Sequence, residues 1–203
     1  MRFAYCGLLL LIITACAQAP ESSAQRFALW LAAGRREQVA DYQANLRKHA
    51  VDQVVPMPQL LRSGRRWRRC SVEEFAVPPR KDWPAINATL VLVRDLKGAA
   101  ILKQPQVVSA WRSEEFNHCE GGSPQSRHRR NNALDLVIAD DDENVVRLCE
   151  YWRRHGAARR FGLGFYSTTK IHIDTSGFRT WGYDHSYGSS LCSKPNQRKG
   201  SNG

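Results

Sequence analysis

Two short stretches decide how this chain is interpreted: SRHRRNNALDLVI at residues 126–138 and KIHID at residues 170–174. In each, polar residues alternate with apolar ones, a pattern typical of β-strands. Alternation places Asp135 and His172 on the strand face opposite to their apolar neighbours. A carboxylate within an apolar strand is costly unless it is paired or binds a metal. The two stretches therefore predict neighbouring strands with a polar site on one face.

His128, Asp135 and His172 are the candidate metal ligands. Two imidazoles and one carboxylate can hold Zn²⁺ and leave a fourth position open, as a catalytic zinc site requires. The alternative is that Asp135 pairs with an arginine and that neither histidine has a role at a site. Spacing alone leaves both interpretations open.

The rest of the chain predicts helices around these strands. Helical spacing of apolar residues covers 26–50, 58–67 and 88–96, and a further helix follows the acidic cluster at 140–143 and ends near Gly156. Strands are predicted at 107–111, 133–138, 161–166 and 170–174. We therefore predict an α+β fold in which a small antiparallel sheet of three or four strands is flanked by helices, with an N-terminal helical segment.

The composition is that of a basic, folded protein. The chain has 203 residues, of which 42% are hydrophobic, so global disorder is excluded. Its 30 Lys and Arg against 19 Asp and Glu give a formal charge of +11, which favours an anionic partner such as nucleic acid, a membrane surface or bacterial cell wall. Five arginines between residues 62 and 69 form either a solvated basic face or a contact with such a partner.

The first residues predict export. Arg2 precedes an uncharged, largely apolar run at 3–15 that is too short to span a bilayer and fits a secretory signal peptide. Residues 13–16, ITAC, resemble a bacterial lipobox, and Ala17 after the cysteine favours the outer membrane. We predict a periplasmic lipoprotein anchored to the outer membrane through a lipid on Cys16, which argues against a nucleic-acid partner. Cleavage after Ala17 or Ala19, giving a soluble periplasmic protein, is the alternative.

Four motifs in order resemble a known family. They are SAWRS at 109–113, S-x-H-x-x-x-x-A-x-D at 126–135, G-x-G-F-Y at 162–166, and H-x-D-x-x-x-x-R-x-W at 172–181. Together they resemble the zinc D-alanyl-D-alanine carboxypeptidases, or M15-type murein peptidases, in the branch that ends in His-x-Asp. The resemblance covers about residues 105–182. It implies a zinc peptidase that cleaves D-amino-acid-containing bonds of peptidoglycan stem peptides or cross-links.

The resemblance also implies residue roles. His128, Asp135 and His172 match the zinc ligands. Arg112 matches an arginine that polarises the scissile carbonyl and stabilises the oxyanion, for which a permanently charged, rigid guanidinium is suited. Ser126 matches a serine that contacts the substrate.

Two positions depart from the better-known relatives. Asn131 stands where several branches keep a glycine, although asparagine tolerates a left-handed backbone. Thr169 stands where many relatives place the acid that serves as general base. Asp174 is then the nearest acid and the predicted base; alternatively, it only orients a group such as Arg179. Loss of the base would leave a non-catalytic peptidoglycan-binding module on the same fold.

The remaining predictions concern cysteines, tryptophans and domain limits. Cys70, Cys119, Cys149 and Cys192 predict two disulfides with three possible connectivities; we favour Cys119–Cys192 with Cys70–Cys149, which would hold the loop and tail around the catalytic region. A thiolate zinc site is disfavoured because no C-x-x-C pair occurs. Trp111, Trp152 and Trp181 are predicted in the core or a pocket wall. The predicted segments are 1–15 signal peptide, 16–25 tether, 26–100 N-terminal helical region, 101–192 catalytic domain and 193–203 polar tail.

Overall fold

The computed structural model describes residues 21–193. The predicted signal peptide, Cys16 and nearly all of the polar tail lie outside these residues, and the domain limits stay predictions. Within the described range, none of the helices has the length and apolar character needed to cross a membrane.

The described chain contains six α-helices and five strands, and four of the helices precede the first strand. The helices are α1 (Ser23–Trp30), α2 (Arg36–Lys48), α3 (Met57–Leu60), α4 (Ala85–Gly98), α5 (Glu114–Cys119) and α6 (Asp142–Arg159). The strands are β1 (Gln106–Ser109), β2 (Ala133–Val137), β3 (Gly162–Phe165), β4 (Lys170–Asp174) and β5 (Arg179–Trp181).

The strands form one sheet in the order β1-β2-β4-β3-β5. All neighbours are antiparallel except β3 and β5, which run parallel. The predicted α+β class is confirmed, with the difference that the sheet has a fifth strand and is mixed. The three residues of β5 are too few to show a periodic pattern, so this strand was not predicted.

One face of the sheet is part of the hydrophobic core. Leu134, Leu136, Ile171 and Ile173 are fully buried, as alternation predicts. They belong to one apolar cluster with residues of α4 and α6, such as Leu92 and Leu148. The opposite face is left for polar side chains.

The helices differ from the prediction at their ends. A capping box between Ser22 and Gln25 begins α1 at Ser23, three residues earlier than expected. The predicted helix over 26–50 is kinked at Gly34, whose φ of +93° favours glycine. The predicted helix over 58–67 ends at Leu60; Arg62 forms an isolated bridge with Phe75, and Arg65 and Arg66 lie in turns.

The predicted end of α6 at Gly156 was wrong. The helix continues to Arg159 and ends with Arg160 in the left-handed conformation. Glycine at 156 instead makes room for the Phe178 ring, which a Cβ atom there would approach to 2.5 Å.

Two disulfides are present, but the favoured connectivity was wrong. Cys70 pairs with Cys119, and Cys149 pairs with Cys192. The fold brings the end of α5 beside the turn at Cys70, and α6 beside the loop after β5, with Cα separations of 5.8 Å and 5.1 Å. Each bridge therefore holds a loop to a helix.

Candidate metal centre

Two of the predicted ligands come from adjacent strands. Asp135 in β2 lies directly opposite His172 in β4. Their exposed fractions are only 7% and 5%. The strand pairing confirms the predicted adjacency of these residues.

The third predicted ligand lies in the turn that enters β2. His128 is within a 3₁₀ turn, Arg127–Arg130, and is 2% exposed. The turn ends at Asn131, whose φ of +51° is left-handed, as the glycine-to-asparagine exchange predicted. The Asn131 amide donates hydrogen bonds to the Tyr42 hydroxyl and the Asp82 carbonyl, at 3.2 and 3.1 Å. The N-terminal helical region thus fixes the turn.

The three side chains converge on one point. His128 Nε2 lies 3.1 Å from Asp135 Oδ1 and 3.2 Å from His172 Nδ1, and His172 Nδ1 lies 3.0 Å from the same Asp135 oxygen. A tetrahedral zinc ion with ligand distances of about 2.0–2.1 Å separates its ligand atoms by about 3.3 Å. The observed separations are close to that value.

Neighbouring acceptors leave a lone pair directed at this point on each histidine. His128 Nδ1 donates to the Ala110 carbonyl at 2.6 Å, which leaves Nε2 without a proton in the neutral ring. His172 Nε2 donates to Asp174 at 3.0 Å, which leaves Nδ1 free in the same way. The donor set is two neutral imidazoles and a carboxylate, each oriented by a second hydrogen bond, and this fits a divalent metal such as zinc.

The protonation equilibria also favour a positive charge here. Burial raises the pKa of Asp135, but both histidines and Arg112 outweigh burial, and the pKa lies well below its usual value. Burial lowers the pKa of His128. Burial acts in the same direction on His172, but hydrogen bonds with Asp135 and Asp174 outweigh it and raise the pKa of His172. The raised pKa of His172 reflects the two carboxylates beside it, and these would also favour a metal cation, which displaces the proton when it binds.

Asp174 lies behind His172, away from the point where the three ligands converge. Its Oδ2 accepts from His172 Nε2 and, at 2.5 Å, from Arg179 Nη2, while its Oδ1 accepts from the Ser176 amide at 2.8 Å and Arg179 Nη1 at 3.1 Å. Burial raises the pKa of Asp174, but His172 and Arg179 outweigh it and lower the pKa to about 2. The side chain is 0% exposed. These contacts favour the orienting role over the predicted role of general base.

Arg112 contacts a predicted ligand directly. Its Nη2 donates to Asp135 Oδ2, and its Nε donates to Ser109 Oγ at 2.8 Å. The guanidinium therefore lies beside the centre, where it can both orient Asp135 and face a substrate.

Two residues at the centre were not predicted from the sequence. The Tyr166 hydroxyl donates to Asp135 Oδ1 at 3.1 Å, and burial, with the Asp135 charge, raises the pKa of Tyr166. His185 lies beyond Trp181, whose ring contacts both His172 and His185, with centroids 5.5 and 5.0 Å apart. The Tyr166 position was signalled only by the G-x-G-F-Y motif, and His185 by no pattern.

Glycines make room for this arrangement. A Cβ atom at Gly164 would lie 2.0 Å from the Trp181 ring, and one at Gly162 would lie 2.5 Å from the Asp174 carboxylate. The G-x-G motif therefore allows the two side chains to lie over β3. Trp181 is a pocket wall, as predicted.

Two cavities flank the centre. The first, the Lys170 cavity, has a volume of about 550 Å³ and is lined by Arg65, Arg66, Arg112, Glu120, Asp135, Lys170 and neighbouring residues. The second, the Ser126 cavity, has a volume of about 560 Å³ and is lined by Ser126, His128, His172, Arg179, Trp181 and neighbouring residues. Arg112, Gly121, Gly122, Tyr166 and His185 line both. The two cavities form one cleft across the centre, and Ser126 lies where its predicted contact with substrate is possible.

Comparisons with known proteins agree with this arrangement. Searches of curated proteins and of solved structures gave no significant match. A family model described as Peptidase M15 matches residues 61–174, which include His128, Asp135 and His172. The match spans more than half of the chain and confirms the resemblance seen in the motifs: this chain belongs to the Peptidase M15 family.

Proposed function

We propose that the chain is a zinc-dependent peptidase that hydrolyses D-amino-acid-containing peptide bonds of bacterial peptidoglycan, as a D-alanyl-D-alanine carboxypeptidase or as a cross-link endopeptidase. The observation that carries the proposal is the convergence of His128, Asp135 and His172 within a cleft that also presents Arg112 and Tyr166. Family membership supports metallopeptidase chemistry.

The proposed zinc ligands are His128 Nε2, Asp135 and His172 Nδ1. A bound zinc ion would polarise the scissile carbonyl and activate a water molecule. Arg112 lies beside Asp135 and offers a fixed positive charge for the oxygen of the reacting carbonyl. Tyr166, which keeps its proton because its pKa is raised, offers a hydroxyl donor on the same side.

The other proposed roles concern orientation and substrate contact. Asp174 holds the His172 ring so that Nδ1 faces the centre. Ser126 contacts the substrate beside His128. Among the described residues that line the cleft, Glu120 and His185 also carry proton-accepting atoms, and Glu120 pairs with Arg66 at 2.8 Å.

The proposed location is the periplasmic face of the outer membrane, with a lipid on Cys16. The ITAC sequence and the apolar run at 3–15 support it. Labelling of cells with a fatty-acid analogue checks this proposal, since wild type should take up label and Cys16→Ala should not. If neither protein takes up label, the first residues would instead be a signal peptide that ordinary signal peptidase removes, which leaves a soluble periplasmic protein.

The activity is tested by digestion of purified peptidoglycan with the zinc-loaded protein. The products, identified by mass, should show loss of a terminal D-alanine or of a cross-link. His172→Ala, prepared in the same way, is the control for contaminating hydrolases. A folded, zinc-loaded protein that binds peptidoglycan and releases nothing would overturn the enzymatic proposal in favour of a non-catalytic binding module.

A further inference from the structure

The Lys170 cavity carries unbalanced positive charge. Four cationic side chains line it, Arg65, Arg66, Arg112 and Lys170, against the two carboxylates of Glu120 and Asp135. Arg112 pairs with Asp135, and Arg66 pairs with Glu120. Among residues 21–193, Arg65 and Lys170 have no ion-pair partner, so the cavity keeps two cations without counter-charges.

Lys170 is built into the sheet and is not part of the basic surface segment. It begins β4, pairs with Val137 of β2 and is half-buried. A bound anion would supply the counter-charge that this ammonium lacks among the described residues. Arg65 reaches the same cavity from a separate segment, the turn after α3.

The position of Lys170 gives a distance from the centre. Lys170 and His172 lie two residues apart in one strand and therefore on the same face, with their Cα atoms about 7 Å apart. An extended peptide advances about 3.3–3.6 Å per residue. A substrate group at Lys170 would then lie roughly two residues from the bond at the centre.

We propose that the Lys170 cavity is a substrate subsite in which Lys170 and Arg65 bind a carboxylate located about two residues from the scissile bond. This inference rests on the proposed function, because it assumes a peptide lying across the centre. The ligand class is a peptide with a free carboxylate, and the same peptide with that group amidated is the poor ligand.

The experiment compares a peptide with its amidated versions. A stem peptide with free carboxylates and versions amidated at each carboxylate in turn are assayed with the zinc-loaded protein. Lys170→Met and Arg65→Gln should each raise KM for the carboxylate peptide about tenfold, or about 1.4 kcal/mol, and change KM for one amidated version by less than twofold. Arg69→Gln is the matched control, because Arg69 is an exposed arginine of the same basic segment and does not line the cavity.

Three results would overturn the proposal. Wild type could fail to distinguish every amidated peptide from the parent, the two variants could weaken all peptides equally, or Arg69→Gln could have the same effect as Arg65→Gln. If no peptide is hydrolysed, the proposed function fails, and Kd values from calorimetry on the same proteins and peptides take the place of KM. Carboxylate-dependent binding lost in Lys170→Met would still support the subsite in that case.

Discussion

The metal centre and the walls of its cleft are built in different ways. Asp135, His172 and Asp174 lie on paired strands, are almost completely buried and have hydrogen-bond partners for their carboxylates and rings. The walls are loops in which Arg65, Arg66 and His185 are exposed. Two of the three proposed ligands thus come from strands and the third, His128, from a buried turn, whereas exposed loops carry much of the surface that a substrate meets.

This difference has a physical reason. Metal ligation requires positions fixed to fractions of an ångström, which paired strands supply, whereas loops tolerate exchange of side chains. The walls are nevertheless attached: Cys70–Cys119 joins the basic turn to α5, and Cys149–Cys192 joins the loop after β5 to α6. Substitutions at the centre should therefore abolish activity, and substitutions in the walls should lower it only in part.

The largest expected effect is at the centre. His128→Ala or His172→Ala should abolish zinc binding and turnover, because two ligands do not hold zinc tightly. Zinc content of the purified variants and turnover of peptidoglycan measure this. His155→Ala, at an exposed histidine of α6, is the control and should match wild type. Full activity in either ligand variant would exclude the proposed centre.

Arg112→Lys should have the next largest effect. Lysine keeps the charge but cannot bond Asp135 and Ser109 at once, as the guanidinium does. We expect zinc content and melting temperature near those of wild type and a rate lower by about 10²–10³, the typical loss for a donor to the oxyanion. A lysine variant as fast as wild type would reduce Arg112 to a general positive charge.

The contrast between centre and walls also explains what the sequence predicted. The strand face of Asp135 and His172 could be predicted because alternation in strands is a strictly local rule. The left-handed backbone at Asn131 could be predicted because it depends on the type of a single residue. Tyr166 follows β3, where the strand pattern ends, and His185 is in a loop without any pattern. Which loops meet is decided by the packing of distant segments, so His185 and the Lys170 cavity could not be predicted.

The predicted disulfide connectivity was wrong for the same reason. The even number of cysteines predicts two bridges, but connectivity depends on which loop lies beside which helix. The role of Asp174 was ambiguous because alternation gives the face of a side chain and not the direction of its carboxylate. The sequence offered Arg179 as an alternative partner, but the place of Arg179 depends on β5, which the sequence pattern did not show.

Asp174→Asn tests whether the centre includes a general base on β4. If Asp174 orients His172, the variant should bind zinc about 10–100-fold more weakly and, at saturating zinc, turn over within a few-fold of wild type. If Asp174 is the base, zinc affinity should be kept and the rate should fall by about 10²–10⁴. Zinc titration and turnover on one preparation separate the two.

Thr169→Ala is the control for Asp174→Asn. Its hydroxyl contacts Ser167 at 3.4 Å. The variant should leave both zinc affinity and rate unchanged. A loss of rate there would show that the position of the usual acid still has a function in this chain.

Removal of each disulfide tests how far the walls of the cleft depend on their attachment. The two bridges close loops of similar length, with sequence separations of 49 and 43, so each should stabilise the fold by a similar 2–4 kcal/mol. Cys149→Ser with Cys192→Ser, and separately Cys70→Ser with Cys119→Ser, should each keep zinc and raise KM several-fold. Thermal unfolding and steady-state kinetics measure this, and loss of zinc from the folded variants would show that walls and centre are one unit.

The smallest expected effect on activity is at Glu74, which attaches the basic turn to α1. Its buried carboxylate accepts from Arg26 at 2.5 and 3.0 Å and from Arg62 at 3.0 Å. Burial raises the pKa of Glu74, but Arg26 and Arg62 outweigh it and lower the pKa. A lowered pKa stabilises the fold above the unfolded-state value of about 4.3, and this stabilisation is lost as the pH falls through the folded value.

Glu74→Gln should therefore lower the free energy of unfolding by about 1–3 kcal/mol at neutral pH, because two arginines lose their counter-charge. The difference from wild type should shrink as the pH falls below the unfolded-state value of about 4.3, and it should disappear once the pH is below the lowered pKa of the folded protein. Glu73→Gln is the control, since its exposed carboxylate pairs with Arg35 and accepts a hydrogen bond from Trp30, and it should contribute less than about 1 kcal/mol. Turnover at neutral pH should stay within twofold for both, because neither residue contacts the cleft.

A stability difference that does not depend on pH would assign the effect to packing. A large loss of turnover would show that the attachment of α1 sets the geometry of the centre, and the separation of rigid centre from adjustable walls would not hold.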